Sequence, residues 1–189
     1  MENNRCIRIS YLFIALFLVF LVGCTSVQDS VPIGQGTVQG SDAGQGEVDW
    51  KEIDLKDVIT GETFKISDFK GKPIFVETMA VWCPLCTRQQ IQIQIMANEL
   101  GDSVVHVSID TDLNENEAKL KDYAARQGFD WPFVIDPQGR VGKQLVDKFG
   151  FNAVNPPSTP VIFIDENFNE RILRFGIKSS DELIAELGK

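Results

Sequence analysis

An α/β fold, with a central mixed sheet flanked by helices, is what this 189-residue sequence predicts, on three observations. Short apolar runs of strand length alternate with longer capped segments of helical length. Glycine or proline punctuates most of the changes between them. The alternation then ends in two strand-like runs facing each other across a short polar turn, before a last helix.

The elements follow in order. Asp54–Val58 and Glu62–Ile66 flank Thr60-Gly61 and read as a β-hairpin inside residues 49–69. Gly71-Lys72-Pro73 is a turn that feeds a strand over Ile74–Met79. A helix is expected from Pro84, where the missing N–H costs nothing, to Leu100, with Gly101 as its stop. Its middle, Ile91-Gln92-Ile93-Gln94-Ile95, alternates with period two. The turn-to-turn length exceeds an ordinary strand, and Ile91/Ile95 and Met96/Leu100 fit helical i,i+4 pairs. Val104–Ile109 reads as a buried strand. Asn114 with Glu117 is expected to cap a helix ending at Gly128. Trp131–Ile135 is a short strand and Asp136-Pro137-Gln138-Gly139 a turn. Val141, Leu145 and Phe149 mark a helix stopped by Gly150. Val161–Asp165 and Arg171–Phe175 form the closing hairpin. Ser179 with Glu182 caps a final helix through Leu187.

The N-terminus lies outside this pattern. Arg5 and Arg8 precede an apolar run of 12 residues, Tyr11–Val22. A spanning helix needs about 20 residues, so the run suits a signal-peptide core. It ends in Leu21-Val22-Gly23-Cys24, which resembles a lipobox. Residues 1–23 are therefore expected to be a lipoprotein-type signal peptide, with Cys24 the lipidated residue. Residues 24–47 are rich in Gly, Ser, Gln and Asp and read as a flexible tether. The folded domain is expected over residues 48–189.

The formal charge of −9 becomes more negative once Arg5, Arg8 and Glu2 leave with the signal. An acidic surface argues against nucleic acid or anionic lipid as a partner, so membrane attachment falls to the lipid. Of the four cysteines, Cys6 goes with the signal and Cys24 is modified. Cys83 and Cys86 remain, in a compartment where disulfides persist. Zinc requires four ligands, and the single histidine, His106, lies in an apolar strand-like run, so no metal is expected.

Trp82-Cys83-Pro84-Leu85-Cys86 is the chemical centre of the sequence. Two thiols three positions apart, just after a strand and at a helix start, carry the spacing of dithiol redox motifs. Unpaired N–H groups and the positive end of the helix dipole favour a thiolate at Cys83. Cys83 is thus expected to be the exposed nucleophile, and Cys86 the resolving thiol. A structural bridge here would close almost no loop and stabilise little. No cofactor beyond the Cys83–Cys86 disulfide is expected.

From about Val48 to Leu187 the chain resembles the TlpA/ResA-like thioredoxins, membrane-tethered thiol–disulfide oxidoreductases of the extracytoplasmic face. The resemblance rests on the hairpin before Gly71-Lys72-Pro73, on Ala80–Cys86, on a strand–helix unit added mid-chain, and on Thr159-Pro160 before a strand. It implies a thioredoxin-like fold with an N-terminal β-hairpin and a central strand–helix insertion. It implies a cis Pro160, with the Thr159 backbone set beside the sulfurs to pair with substrate; the residues alone also allow a trans proline that merely starts a strand. It assigns Glu77, six residues before Cys83, as a buried acid that exchanges a proton with Cys86; the alternative is a carboxylate on the solvated side of the strand. Trp82 is expected over the disulfide, and Pro84 and Leu85 at the substrate-facing rim where the potential is tuned. Some members carry a functional Glu three residues after the second Cys; here Gln89 stands there.

The implied partners are thiols and disulfides of exported proteins, and a membrane thiol donor that re-reduces the site. The implied location is the outer face of the cytoplasmic membrane or the periplasm. Two other chemistries compete. A peroxiredoxin-like peroxide reductase needs Thr and Arg near its cysteine, and Thr87-Arg88 do not match that order. A Sco-like copper module uses a different Cys spacing and a distal His.

Overall fold

The computed structural model describes residues 47–189. The expected signal peptide, Cys24 and nearly all of the tether lie outside them. Two sheets form. β1 (Leu55–Lys56) and β2 (Thr63–Phe64) make the small antiparallel hairpin. The second sheet has the order β5-β4-β3-β6-β7, from β3 (Ile74–Met79), β4 (Val105–Asp110), β5 (Phe133–Ile135), β6 (Val161–Ile164) and β7 (Glu170–Ile172). β3 runs parallel to β4 and antiparallel to β6, so the sheet is mixed. The helices are α1 (Pro84–Leu100), α2 (Glu117–Gln127), α3 (Arg140–Phe149) and α4 (Ser180–Ile184). α2 and β5 are the added mid-chain unit, and β5 extends the sheet beside β4.

β3 is the central strand, and all six of its residues are buried. Side chains alternate between faces along a strand. Ile74 and Val76 pack with Val107, Ile109, Val141 and Leu145 on one face. Phe75 and Met79 pack with Cys86, Ile93, Met96 and Phe133 on the other. Glu77 lies between Phe75 and Met79 in that alternation, so its carboxyl enters the face covered by α1. Each large apolar side chain buried this way contributes roughly 1.5–3 kcal/mol. Aromatic packing around Phe129 adds to this face, with Trp131 at 4.7 Å and Phe133 at 6.0 Å between ring centroids.

Several boundaries move for local reasons. Asn116, not Asn114, caps α2: its side chain accepts from Lys119 N at 3.0 Å. Asn114 is held in a turn by Asp112, whose Oδ1 accepts from Asn114 N at 2.9 Å. In α1, Ile91 and Ile95 point outward at 44% and 45% exposure. The buried face is instead Cys86, Gln89, Gln90, Ile93 and Met96, which follows 3.6-residue periodicity through two glutamines. α4 is short, capped by the expected Ser179/Glu182 box, and passes into a 3-10 turn at Ala185.

Candidate active site

Cys83 is the N-cap of α1 and Pro84 its first residue. The N-cap geometry lets Cys83 Sγ accept from Cys86 N at 3.2 Å, satisfying one of the free N–H groups of the first turn. Both cysteines are free thiols. Cys86 Sγ lies 2.6 Å from Cys83 Sγ and 3.2 Å from Pro156 O, two acceptors for its single S–H. The loop at Pro156 therefore closes over the helix start, and Cys83 is only 1% exposed. This corrects the expectation of an exposed nucleophile: the sulfur sits under its own helix cap and against its partner thiol. Pro84 is exposed and Leu85 half-buried against the core. Trp82 stands 56% exposed, its indole Nε1 donating to Asp112 Oδ2 at 2.7 Å.

Behind the thiols lies Glu77, 1% exposed. The solvated-strand reading is thereby excluded. β3 is paired on both sides, Glu77 opposite Ser108 and Val161, and the carboxyl projects out of the sheet into the buried face. Ser108 Oγ donates to Glu77 Oε2 at 3.2 Å. Gln90 faces the same carboxyl, but Glu77 Oε1 and Gln90 Nε2 each find no partner at hydrogen-bond distance. Loss of hydration pushes Glu77 up to about 8, against the opposing pull of Gln90, Ser108 and the Lys178 charge. Burial, with the Glu77 and Cys83 charges, also pushes the Cys86 thiol far up. The pair is thus arranged so that Cys86 keeps its proton until a base takes it.

The Thr159–Pro160 bond is not cis: no cis peptide occurs among the described residues. The chain bends instead at Thr159, whose φ of +45° is left-handed. Thr159 N donates to Pro156 O at 2.8 Å, closing the 3-10 turn Pro156–Ser158. Backbone dihedrals supply the reversal that a cis bond would have supplied. The position costs about 1–3 kcal/mol for a β-branched residue and needs support from its surroundings. Pro160 is buried and leads into β6. Cys83, Cys86, Glu77 and the Pro156–Pro160 loop are therefore brought together at the carboxyl end of β3, where open α/β sheets carry their sites.

Three features here go beyond the sequence reading, which marked Gln89 only as standing in place of a Glu. Gln89 and Gln90 occupy the Cys86 face of α1, and a helical projection of that face would have found them. Asp110 ends β4 opposite Met79, fully buried, and burial pushes it up to about 7. Lys178, 2% exposed, had no periodic pattern to mark it. His106 lies at the other end of β4, opposite Phe75. Among the described residues no three His, Cys, Asp or Glu side chains gather as a metal site.

Residues 45–172 match the Redoxin family. The thiol-disulfide oxidoreductase ResA of Halalkalibacterium halodurans is 27% identical over 120 residues, which cover 64% of this chain and 62% of ResA. The alignment thus spans a little under two thirds of that relative's length. MTB dsbF, solved in mixed oxidized and reduced forms, superposes with a TM-score of 0.59 at 20% identity, over 74% of this chain and 95% of dsbF. The pneumococcal exposed lipoprotein thioredoxin Etrx1 of Streptococcus pneumoniae superposes with a TM-score of 0.54 at 26% identity, over 72% and 97%. A central strand, a dithiol helix cap, a buried acid and this match over most of the domain converge: the chain belongs to the Redoxin family, with a thioredoxin-like fold.

Proposed function

We propose that this chain is an exported, lipid-anchored oxidoreductase that reduces or exchanges disulfides in proteins outside the cytoplasm. The observation that carries the reading is the pair of free thiols at the start of α1 with the buried Glu77 carboxyl behind them. In the reaction, Cys83 as thiolate attacks one sulfur of a substrate disulfide. A mixed disulfide forms, and the other substrate sulfur leaves as a thiolate. Glu77 as carboxylate takes the proton of Cys86. The Cys86 thiolate then attacks Cys83 Sγ, expelling the second substrate thiolate and leaving the Cys83–Cys86 disulfide. Two electrons pass from the dithiol to the substrate, and a membrane thiol donor returns them. Exposed Trp82 and Pro84, with Leu85 beside them, form the rim that meets substrate.

The address rests on the N-terminal sequence, where Cys24 follows Leu21-Val22-Gly23, and on similarity to an exposed lipoprotein thioredoxin. The peroxide reading fares less well: Thr87 Oγ1 is engaged with Tyr123 OH at 2.8 Å and Arg88 is exposed. The copper reading needs a histidine near the sulfurs. His106 is opposite Phe75, about 13 Å down the strand from its thiol end.

The test is insulin reduction with dithiothreitol as donor. Wild type is expected to turn over and Cys83→Ser to lose all activity; equal turnover by the two ends the dithiol reading. In cells, Cys24→Ala is expected to move the protein from the membrane to the soluble fraction, and retention at the membrane rejects the lipid anchor.

A further inference from the structure

Glu77 must carry a negative charge before it can take the proton of Cys86, and burial opposes that charge. Two chains of hydrogen bonds converge on it. From β4, Ser108 Oγ donates to Glu77 Oε2 at 3.2 Å and itself accepts from Trp131 Nε1 at 2.9 Å. An indole N–H can only donate, so the serine proton is left for the carboxyl. From the helices, Tyr123 OH donates to Gln90 Oε1. Tyr123 OH also lies 2.8 Å from Thr87 Oγ1, and with the tyrosine proton committed to Gln90, Thr87 is the donor there. Burial pushes the Tyr123 hydroxyl up, which keeps it a neutral donor. The titratable groups that act on Glu77 are Cys86 of α1, Tyr123 of α2 and Lys178 ahead of α4.

Tyr123 thereby decides which end of the Gln90 amide meets the acid. With Oε1 held by the phenol, Gln90 turns Nε2 toward Glu77. Gln90 Nε2 and Glu77 Oε1 are both buried, and neither has another partner. A buried donor and a buried acceptor left open beside each other are costly, and a small rotation of either side chain joins them. The flipped amide would do the opposite. It would set a carbonyl against the carboxylate, and it would accept from the neutral acid, so that Glu77 would hold its own proton more tightly. We propose, on the dithiol reading above, that Gln90 and Tyr123 are positioning residues for the proton step: Tyr123 fixes the Gln90 amide with its N–H groups toward Glu77 Oε1, and that bond closes on the carboxylate and opens once Glu77 is protonated. In the step itself the S–H bond of Cys86 breaks and an O–H bond forms on Glu77; Gln90 exchanges no proton. Thr87, at the outer end, keeps the chain polarised toward the acid.

The experiment titrates the Glu77 carboxyl carbon by NMR in the reduced protein carrying 13C-labelled glutamate, with Glu77→Gln identifying the signal. Gln90→Met fills similar volume and removes the donor; its Glu77 midpoint is expected to rise by about one pH unit, and resolution of the mixed disulfide to slow about tenfold at pH 7. Tyr123→Phe keeps the ring against Phe129 and Phe133 and removes only the hydroxyl. Its midpoint is expected to rise by about half a pH unit. Because Tyr123 acts through Gln90, the double variant is expected to titrate with Gln90→Met alone. A midpoint that stays or falls in Gln90→Met overturns the proposal, whatever the loss of stability, and so do shifts that add in the double variant. Where circular dichroism shows Gln90→Met unfolded, Tyr123→Phe decides by itself, and an unmoved midpoint there overturns the proposal. Wild type that fails to reduce insulin refutes the dithiol reading, while the titration still decides the contact between Gln90 and Glu77.

Discussion

Replacing Glu77 by Gln should stabilise the reduced protein, and by more as pH rises. Glu77 has a folded value of about 8 against 4.5 in the unfolded chain. A raised carboxyl value means that the unfolded chain releases its proton first. Stability is therefore unaffected below the unfolded value, is lost progressively as pH climbs from 4.5 toward 8, and changes no further above it. Each pH unit in that interval costs about 1.4 kcal/mol. Allowing for partial titration at both ends, the advantage of Glu77→Gln grows by about 3 kcal/mol between pH 5 and pH 7.5. Gln is nearly isosteric, and Ser108 can still donate to its carbonyl. Asp110, Asp136 and His106 also titrate with altered values, but they are common to both proteins and cancel in the difference. Lys178, brought down to about 8, keeps its proton through most of the window. The assay is urea unfolding of both reduced proteins at the two pH values. A difference that does not change with pH would show that the carboxyl is not held neutral by burial, and the assignment of Glu77 as proton acceptor would fall with it.

The same carboxyl should appear in the kinetics. Resolution of the mixed disulfide needs Glu77 ionised, so its rate should rise with pH through about 8; in Glu77→Gln that inflection should vanish and the step slow about 100-fold at neutral pH, as read by quenched-flow alkylation. Cys86→Ser should accumulate a stable mixed disulfide between Cys83 and substrate, visible as an adduct by mass spectrometry; an adduct on no cysteine would assign the attack elsewhere. Gly142 lies in the first turn of α3: a Cβ there would lie 2.9 Å from Asp136 Oδ2, which accepts from Gly142 N at 2.7 Å. Gly142→Ala should cost about 1–3 kcal/mol in urea unfolding, and no loss would mean that the Asp136 cap moves aside freely.

Much of this was legible in the residues because local chemistry declares itself. The Cys83–Cys86 spacing, Pro84 at a helix start, Gly101, Gly128 and Gly150 at helix ends, and the Ser179/Glu182 box are all signals within a few residues of one another. The length of α1 marks it as a helix even though Ile91–Ile95 alternates like a strand. Which face of α1 turned inward was not legible, since the winning face carries Gln89 and Gln90 in place of Ile91 and Ile95. Hydrophobicity ranks those the other way; Gln89 is matched by Lys178 and the Gln90 carbonyl by Tyr123, residues far along the chain. The reversal before β6 is not legible in the sequence either. The Thr159-Pro160 pair suggests a cis bond, whereas the turn is made by a left-handed Thr159 whose carbonyl Lys178 holds.

By itself, the sequence determined the fold class, the order of elements, and the two sulfurs that carry the chemistry, because helix starts, turns and strand periodicity are encoded in near neighbours. Only the tertiary structure decided that Cys83 is covered, that Glu77 is sealed inside a doubly paired strand, and that Lys178 meets Thr159. Desolvation and the matching of buried donors to acceptors depend on what stands across the sheet or the loop. Those partners lie 19 to 89 positions apart along the chain.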